Sequence, residues 1–138
     1  MRVLGLDVGT VRIGVALSDP LGLVASAETV IECADRRQDL KRIADLIAAT
    51  GAELVVVGMP TTLRGEHGLA AQQMDEFVRD LAEHLDTPVT TWDERMTTVV
   101  AERALLEGGK SREARRQLRD KVAATVLLQS YLDAHQQR

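Results

Sequence analysis

Three carboxylates stand where a strand or a helix would bring them together. Asp7 follows the apolar run Val3 to Leu6, and Glu94 follows the run Val89 to Trp92 with Asp93 beside it. Both are therefore expected at the carboxyl ends of strands. Asp120 lies in a helical stretch in which Ala123, Ala124, Leu127, Leu128 and Tyr131 fall at i+3, i+4, i+7, i+8 and i+11, so the acid shares the core-packing face. Charge on such a face is costly unless something neutralises it. The plainer alternatives are loop-starting acids at Asp7 and Glu94, and for Asp120 an ion pair with Arg116 or Arg119. Gathered at one edge, the three carboxylates would repel unless a cation held them apart. Oxygen ligands with open positions suit Mg²⁺ or Mn²⁺, and two such ions can drive in-line hydrolysis of a phosphodiester. Asp7, Glu94 and Asp120 are accordingly the candidate catalytic and metal-binding residues.

The charge distribution points the same way. The net charge is -4, yet the segment from Arg95 to Lys121 carries eight basic and four acidic residues, a net +4 that leaves -8 to the rest. A basic stretch is either a solvated helix face or a footprint for phosphates. Arg12, Arg95, Arg112, Arg115, Arg116 and Arg119 are the candidate nucleic-acid contacts. Gly9-Thr10 after Asp7, and Gly58 with Thr61 after the run Leu54 to Val57, could bring backbone amides close to a phosphate. His84 and His135 fall on polar helix ends, His67 falls in a glycine-containing loop, and Cys33 has no histidine spaced to activate it.

These residues need a frame. Arg2 to Leu6, Arg12 to Ser18 and Leu23 to Val30 read as three strands in an antiparallel meander. Asp35 caps a helix that Gly51 ends, Leu54 to Val57 is a central strand, and Leu69 to Leu85 has helical spacing. A strand from Val89 to Trp92 follows, then two helices flanking Gly108-Gly109, the last running from about Ser111 or Arg112 to His135. The order βββαβαβαα predicts one α/β domain over residues 1–138, a mixed five-stranded sheet with helices on both faces. With 45% hydrophobic and 2% aromatic residues, the core must be aliphatic, Phe77, Trp92 and Tyr131 being the only aromatics. Base-stacking platforms are thereby disfavoured. The single Cys33 excludes an internal disulfide and a multi-cysteine zinc site, and fits a reducing, cytoplasmic setting. Neither a signal peptide nor a membrane span is expected from the short apolar run at Val3.

Four stretches together resemble one family. Gly5-Leu6-Asp7-Val8-Gly9-Thr10 with Arg12-Ile13-Gly14-Val15-Ala16, then Val57-Gly58-Met59-Pro60, then Trp92-Asp93-Glu94-Arg95-Met96-Thr97-Thr98, and finally Asp120-Lys121-Val122-Ala123-Ala124 with Leu128-Gln129-Ser130-Tyr131-Leu132 resemble the YqgF (RuvX) family of pre-16S rRNA nucleases, also described as Holliday-junction-resolvase-like. The resemblance implies a ribonuclease H-like fold and a metal-dependent nuclease with Asp7, Glu94 and Asp120 as its acidic triad. It also implies 5′-end maturation of 16S rRNA in ribosome biogenesis or, by analogy with junction resolvases, processing of branched DNA in recombination and repair. Val11 stands where the family usually has lysine, and Thr62 and Arg64 replace an asparagine and an acid.

Three readings compete. The leading one is a Mg²⁺- or Mn²⁺-dependent nuclease on structured RNA; the second is a junction-cleaving DNA endonuclease, which would favour a two-fold homodimer over a monomer. The third is a non-catalytic RNA-binding module recruited by ribosomal processing partners. Asp7-Val8-Gly9-Thr10 also resembles the first phosphate loop of actin-like ATPases and sugar kinases, but a second such loop is missing.

Overall fold

The computed structural model describes residues 1–59, 69–94 and 112–136. Five strands form a single sheet in the order β3-β2-β1-β4-β5: β1 (Val3–Val8), β2 (Arg12–Ser18), β3 (Ala25–Glu32), β4 (Leu54–Met59) and β5 (Val89–Asp93). The meander β1-β2-β3 is antiparallel, whereas β4 and β5 add to β1 in parallel. Both features follow the expectation from sequence. The described helices are α1 (Arg36–Thr50), α2 (Leu69–His84) and α3 (Arg112–His135). The helix expected before Gly108 lies outside the described residues.

Strand alternation divides the core in two. Leu4 and Leu6 of β1, Ile13, Val15 and Leu17 of β2, and Val55 and Val57 of β4 point to one face, where Leu40 and Ile43 of α1 and Met74, Phe77 and Leu81 of α2 cover them. The residues between them, Val3, Ala16 and Val56, point to the other face and meet Ala124, Leu128 and Leu132 of α3. This second face is built from small side chains. A methyl added at Gly5 would come within 2.8 Å of Leu128 Cβ, so the missing side chain lets α3 lie close to the sheet.

Local signals fix the ends of these elements. The Asp35 carboxylate accepts from Gln38 N–H at 2.8 Å to start α1. Gly51 ends it in the left-handed conformation at φ 74°, returning its N–H to Ile47. β3 begins two residues later than its hydrophobicity suggests, at Ala25. The Asp19 carboxylate holds the N–H groups of Leu23 and Val24 at 2.7 and 3.0 Å, which keeps both residues in the turn after β2. Gln129 of α3 then ties this hairpin down, accepting from Ala25 N–H at 2.8 Å and donating to the Leu23 carbonyl at 3.0 Å. On β5, Trp92 covers the sheet edge, packing edge-to-face on Tyr131 and donating to Ser130 Oγ at 3.1 Å. Among the described residues no helix is long and apolar enough to cross a membrane.

Candidate active site

Asp7 lies inside β1 rather than after it, paired directly with Gly14 of β2. On the opposite side Leu6 pairs with Val57, so the next residue of β4, Gly58, is Asp7's neighbour there. Paired residues point to the same face, and the contacts of Gly14 and Gly58 identify it as the α3 face. Asp7 is thus flanked across the sheet by two residues without side chains. Other groups use the space. A methyl on Gly14 would collide with the Asp120 backbone carbonyl, and Ala124 Cβ would lie 3.4 Å away. One on Gly58 would lie 2.8 Å from a Leu127 methyl and 3.3 Å from Glu94 Oε1. The helix turn bearing Asp120 therefore rests over one glycine, and the Glu94 carboxylate rests over the other.

The structure brings these three acids to one edge of the sheet from β1, the end of β5 and α3, all of them half-buried. They do not close on a common point: among the described residues no three His, Cys, Asp or Glu side chains form a group that could hold a metal ion by themselves. The donor set still fits a hard divalent cation. Mg²⁺ is commonly held by one or two carboxylates, its remaining positions filled by water and substrate phosphate oxygens, rather than by an all-protein cage.

The other predicted contacts divide. Gly9 and Thr10 form an exposed turn, closed by Gly9 N–H donating to the Arg12 carbonyl at 2.8 Å. Gly58 was expected in a turn after the central strand; it is instead within β4, buried and opposite Trp92. Its missing side chain leaves space for Leu127 and for the Glu94 carboxylate, and burial keeps its amide away from a ligand. Arg12 pairs with Glu32, its register partner on β3, at 3.2 Å. Arg112, Arg115, Arg116 and Arg119 lie on the first turns of the helix that carries Asp120. Thr61, His67 and Arg95 lie outside the described residues. His135 stacks on Tyr131 and packs edge-on against Trp92, and His84 is exposed at the end of α2. Cys33 is half-buried, and that burial, reinforced by Asp39 and Glu32, pushes its thiol pKa up. This is the wrong direction for a nucleophile.

Sequence reasoning passed over a cleft of about 300 Å³ on the α1/α2 side of the same edge. Thr10, Arg36, Gln73, Met74, Phe77 and Glu94 line it. Arg36 is held there by Asp80 at 2.6 Å, with its guanidinium carbon 5.1 Å above the Phe77 ring centre. No motif marks Arg36; it is simply the first residue after the Asp35 cap. The paired glycines beside Asp7 were legible in Gly14 and Gly58, but only once the strand register is known.

Both the sequence and the fold have known relatives. The model of the family described as RuvX, Holliday junction resolvase, matches residues 1–134. A protein of Symbiobacterium thermophilum named "Putative pre-16S rRNA nuclease" is 49% identical over 138 residues, covering 100% of this chain and 96% of its own. One of the same name from Desulforamulus reducens is 43% identical, covering 97% and 98%. In fold the chain is similar to Thermus thermophilus RuvC in complex with a Holliday junction substrate, with TM-score 0.62 and 18% identity over 97% of this chain and 96% of that one. The Fowlpox virus resolvase, solved with Holliday junction DNA, superposes with TM-score 0.61 at 10% identity over 99% and 100%. The ribonuclease H-like sheet expected from sequence is thus the fold observed. The chain belongs to the RuvX Holliday junction resolvase family, a family of nucleases.

Proposed function

We propose that the chain is a divalent-metal-dependent nuclease that hydrolyses phosphodiester bonds in structured nucleic acid, and that its substrate is the 5′ end of pre-16S rRNA in the cytoplasm, during ribosome biogenesis. The observation that carries this reading is the row Gly14–Asp7–Gly58, in which the two missing side chains admit the Asp120 turn on one side and the Glu94 carboxylate on the other. The names of full-length relatives at 43% and 49% identity support the RNA substrate. The whole of residues 1–138 would act as one nuclease domain.

Asp7, Glu94 and Asp120 would hold Mg²⁺ or Mn²⁺, as two ions. Bound there, the ions supply an activated water and neutralise charge on the leaving oxygen. The chain's own contribution is placement. A paired strand position fixes Asp7, the end of β5 carries Glu94, and the close packing of α3 on glycine sets the height of Asp120. The Gly9-Thr10 turn would offer the Thr10 amide and hydroxyl to a neighbouring phosphate, the Gly9 amide being spent on the Arg12 carbonyl. Arg12, Arg95, Arg112, Arg115, Arg116 and Arg119 would neutralise flanking phosphates, an effect that weakens as salt rises.

Branched DNA is the second substrate to test, because the similar folds of RuvC and the Fowlpox resolvase were solved with four-way junctions. Symmetric cutting of a junction would require a homodimer. A side-by-side assay on a pre-16S precursor, a four-way junction and single strands, with Mn²⁺, Mg²⁺ or chelator, tests the proposal. Cleavage of the precursor that stops on chelation and in Asp7→Asn is the expected result. Precursor binding without cleavage under every condition would overturn it in favour of a binding module.

A further inference from the structure

We infer that the cleft beside Glu94 receives one unpaired nucleobase of the substrate strand, so that this nuclease acts where a nucleotide can leave its stack. The inference rests on the nuclease reading above and names the form of nucleic acid that the site takes. Three observations carry it. The cleft is contiguous with the acidic edge, since Glu94 lines it while its carboxylate lies over Gly58 beside Asp7. A strand whose phosphate sits at that edge therefore has its neighbouring base within reach. At about 300 Å³ the cleft has room for a single base. Its chemistry is also that of a base site: Met74 and Phe77 make an apolar floor, and Thr10, Gln73 and Arg36 bring hydrogen-bonding groups to it.

Arg36 is the distinctive element. Its guanidinium carbon lies over the Phe77 ring and its charge is anchored by Asp80, yet 43% of the side chain remains exposed. A guanidinium already held between an aromatic ring and a carboxylate meets a base with little further loss of side-chain freedom. Unstacked bases are commonly recognised by stacking on arginine planes with polar groups reading the edge. The near absence of aromatics elsewhere does not oppose this, because the platform here is an arginine supported by the one phenylalanine.

The test is an abasic scan. Short single-stranded RNAs, each lacking one base at a successive position, are measured for affinity and for cleavage by the wild type, Arg36→Ala and Gln73→Ala, with native melting confirmed for each variant. One abasic position should weaken wild-type binding by about tenfold, within the range expected of a single base–side-chain stack. Arg36→Ala should lose the same factor on intact RNA and nothing further on that abasic RNA, while Gln73→Ala loses a smaller part of it. A 2-aminopurine at that position should change its fluorescence on binding to the wild type and less so with Arg36→Ala. A scan that is flat along the strand, or a sensitive position that Arg36→Ala leaves equally sensitive, overturns the inference while cleavage continues to support the nuclease. A pre-16S precursor, assayed alongside, that is bound but never cut at any metal concentration would instead defeat the nuclease reading.

Discussion

Substituting Gly14 by alanine should separate placement of the helix from general stability. Positive φ is confined, among the described residues, to Gly22 and Gly51, so the backbone at Gly14 tolerates alanine and the perturbation is steric. The added methyl would sit 2.8 Å from the Asp120 carbonyl carbon, where ordinary contacts lie at 3.4–4 Å, and closer still to its oxygen. Both are backbone atoms, which cannot rotate aside. The helix turn must therefore retreat by about 1 Å, and a misplacement of that size can cost about 100-fold in rate. Overpacking destabilises by about 1–3 kcal/mol, offset by about 0.4–1 kcal/mol because alanine restricts the unfolded chain, so the net loss is at most about 2.6 kcal/mol. Leu132→Ala is the matched control. It empties a buried position about 18 Å further along the same helix and should cost about 2–5 kcal/mol. Urea denaturation and single-turnover cleavage of a pre-16S precursor should then show Gly14→Ala to be the more stable of the two and by far the slower. Wild-type turnover in Gly14→Ala, or an equal loss in both variants, would refute the reasoning.

Gly58→Ala should be milder on stability, because its methyl meets the rotatable ends of Leu127 at 2.8 and 3.1 Å, but it should still lower the cleavage rate by crowding Glu94 Oε1 at 3.3 Å; unchanged turnover would remove Glu94 from the site. Hydrogen bonds from Val24 and Leu23 hold the Asp19 carboxyl below its ordinary value, so its contribution to stability is complete above the unfolded pKa and is lost as pH falls through the lower, folded one. The urea midpoint of the wild type should consequently fall more than that of Asp19→Asn on acidification below about pH 4; parallel curves would contradict the assignment. Burial first, then Asp39 and Glu32, raises the Cys33 pKa, so less thiolate is present at a given pH. Iodoacetamide at mildly alkaline pH should label the native protein more slowly than the urea-unfolded chain, and equal rates would count against a shielded thiol.

The strands were legible because their apolar runs are short and bounded, and α1 because Asp35 and Gly51 are strong end signals. The acids were legible as chemistry out of place, a carboxylate after an apolar run or on a core-facing helix stripe. What could not be read was register. Asp7 looks like a residue beyond the strand until pairing with Gly14 shows it to be inside. Gly58 looks like a turn residue until pairing with Trp92 shows it buried. Hydrophobic periodicity reports which face a residue takes; it carries no record of its neighbour on the next strand, and it is those neighbours that open the space on both sides of Asp7. The cleft was invisible for a related reason, since Arg36 and Gln73 come from two helices whose approach is set by the packing of Met74 and Phe77 on the sheet.

The most direct test is the Mn²⁺-dependent cleavage rate of Asp7→Asn on a pre-16S precursor, with melting measured on the same preparation. Asparagine keeps the shape and removes the charge at the centre of the glycine-flanked row. Loss of more than about 100-fold, beyond what removal of a merely supporting partner costs, with a native melting transition, is the expected result. Undiminished cleavage by folded Asp7→Asn would contradict the account, which makes that carboxylate the central metal ligand.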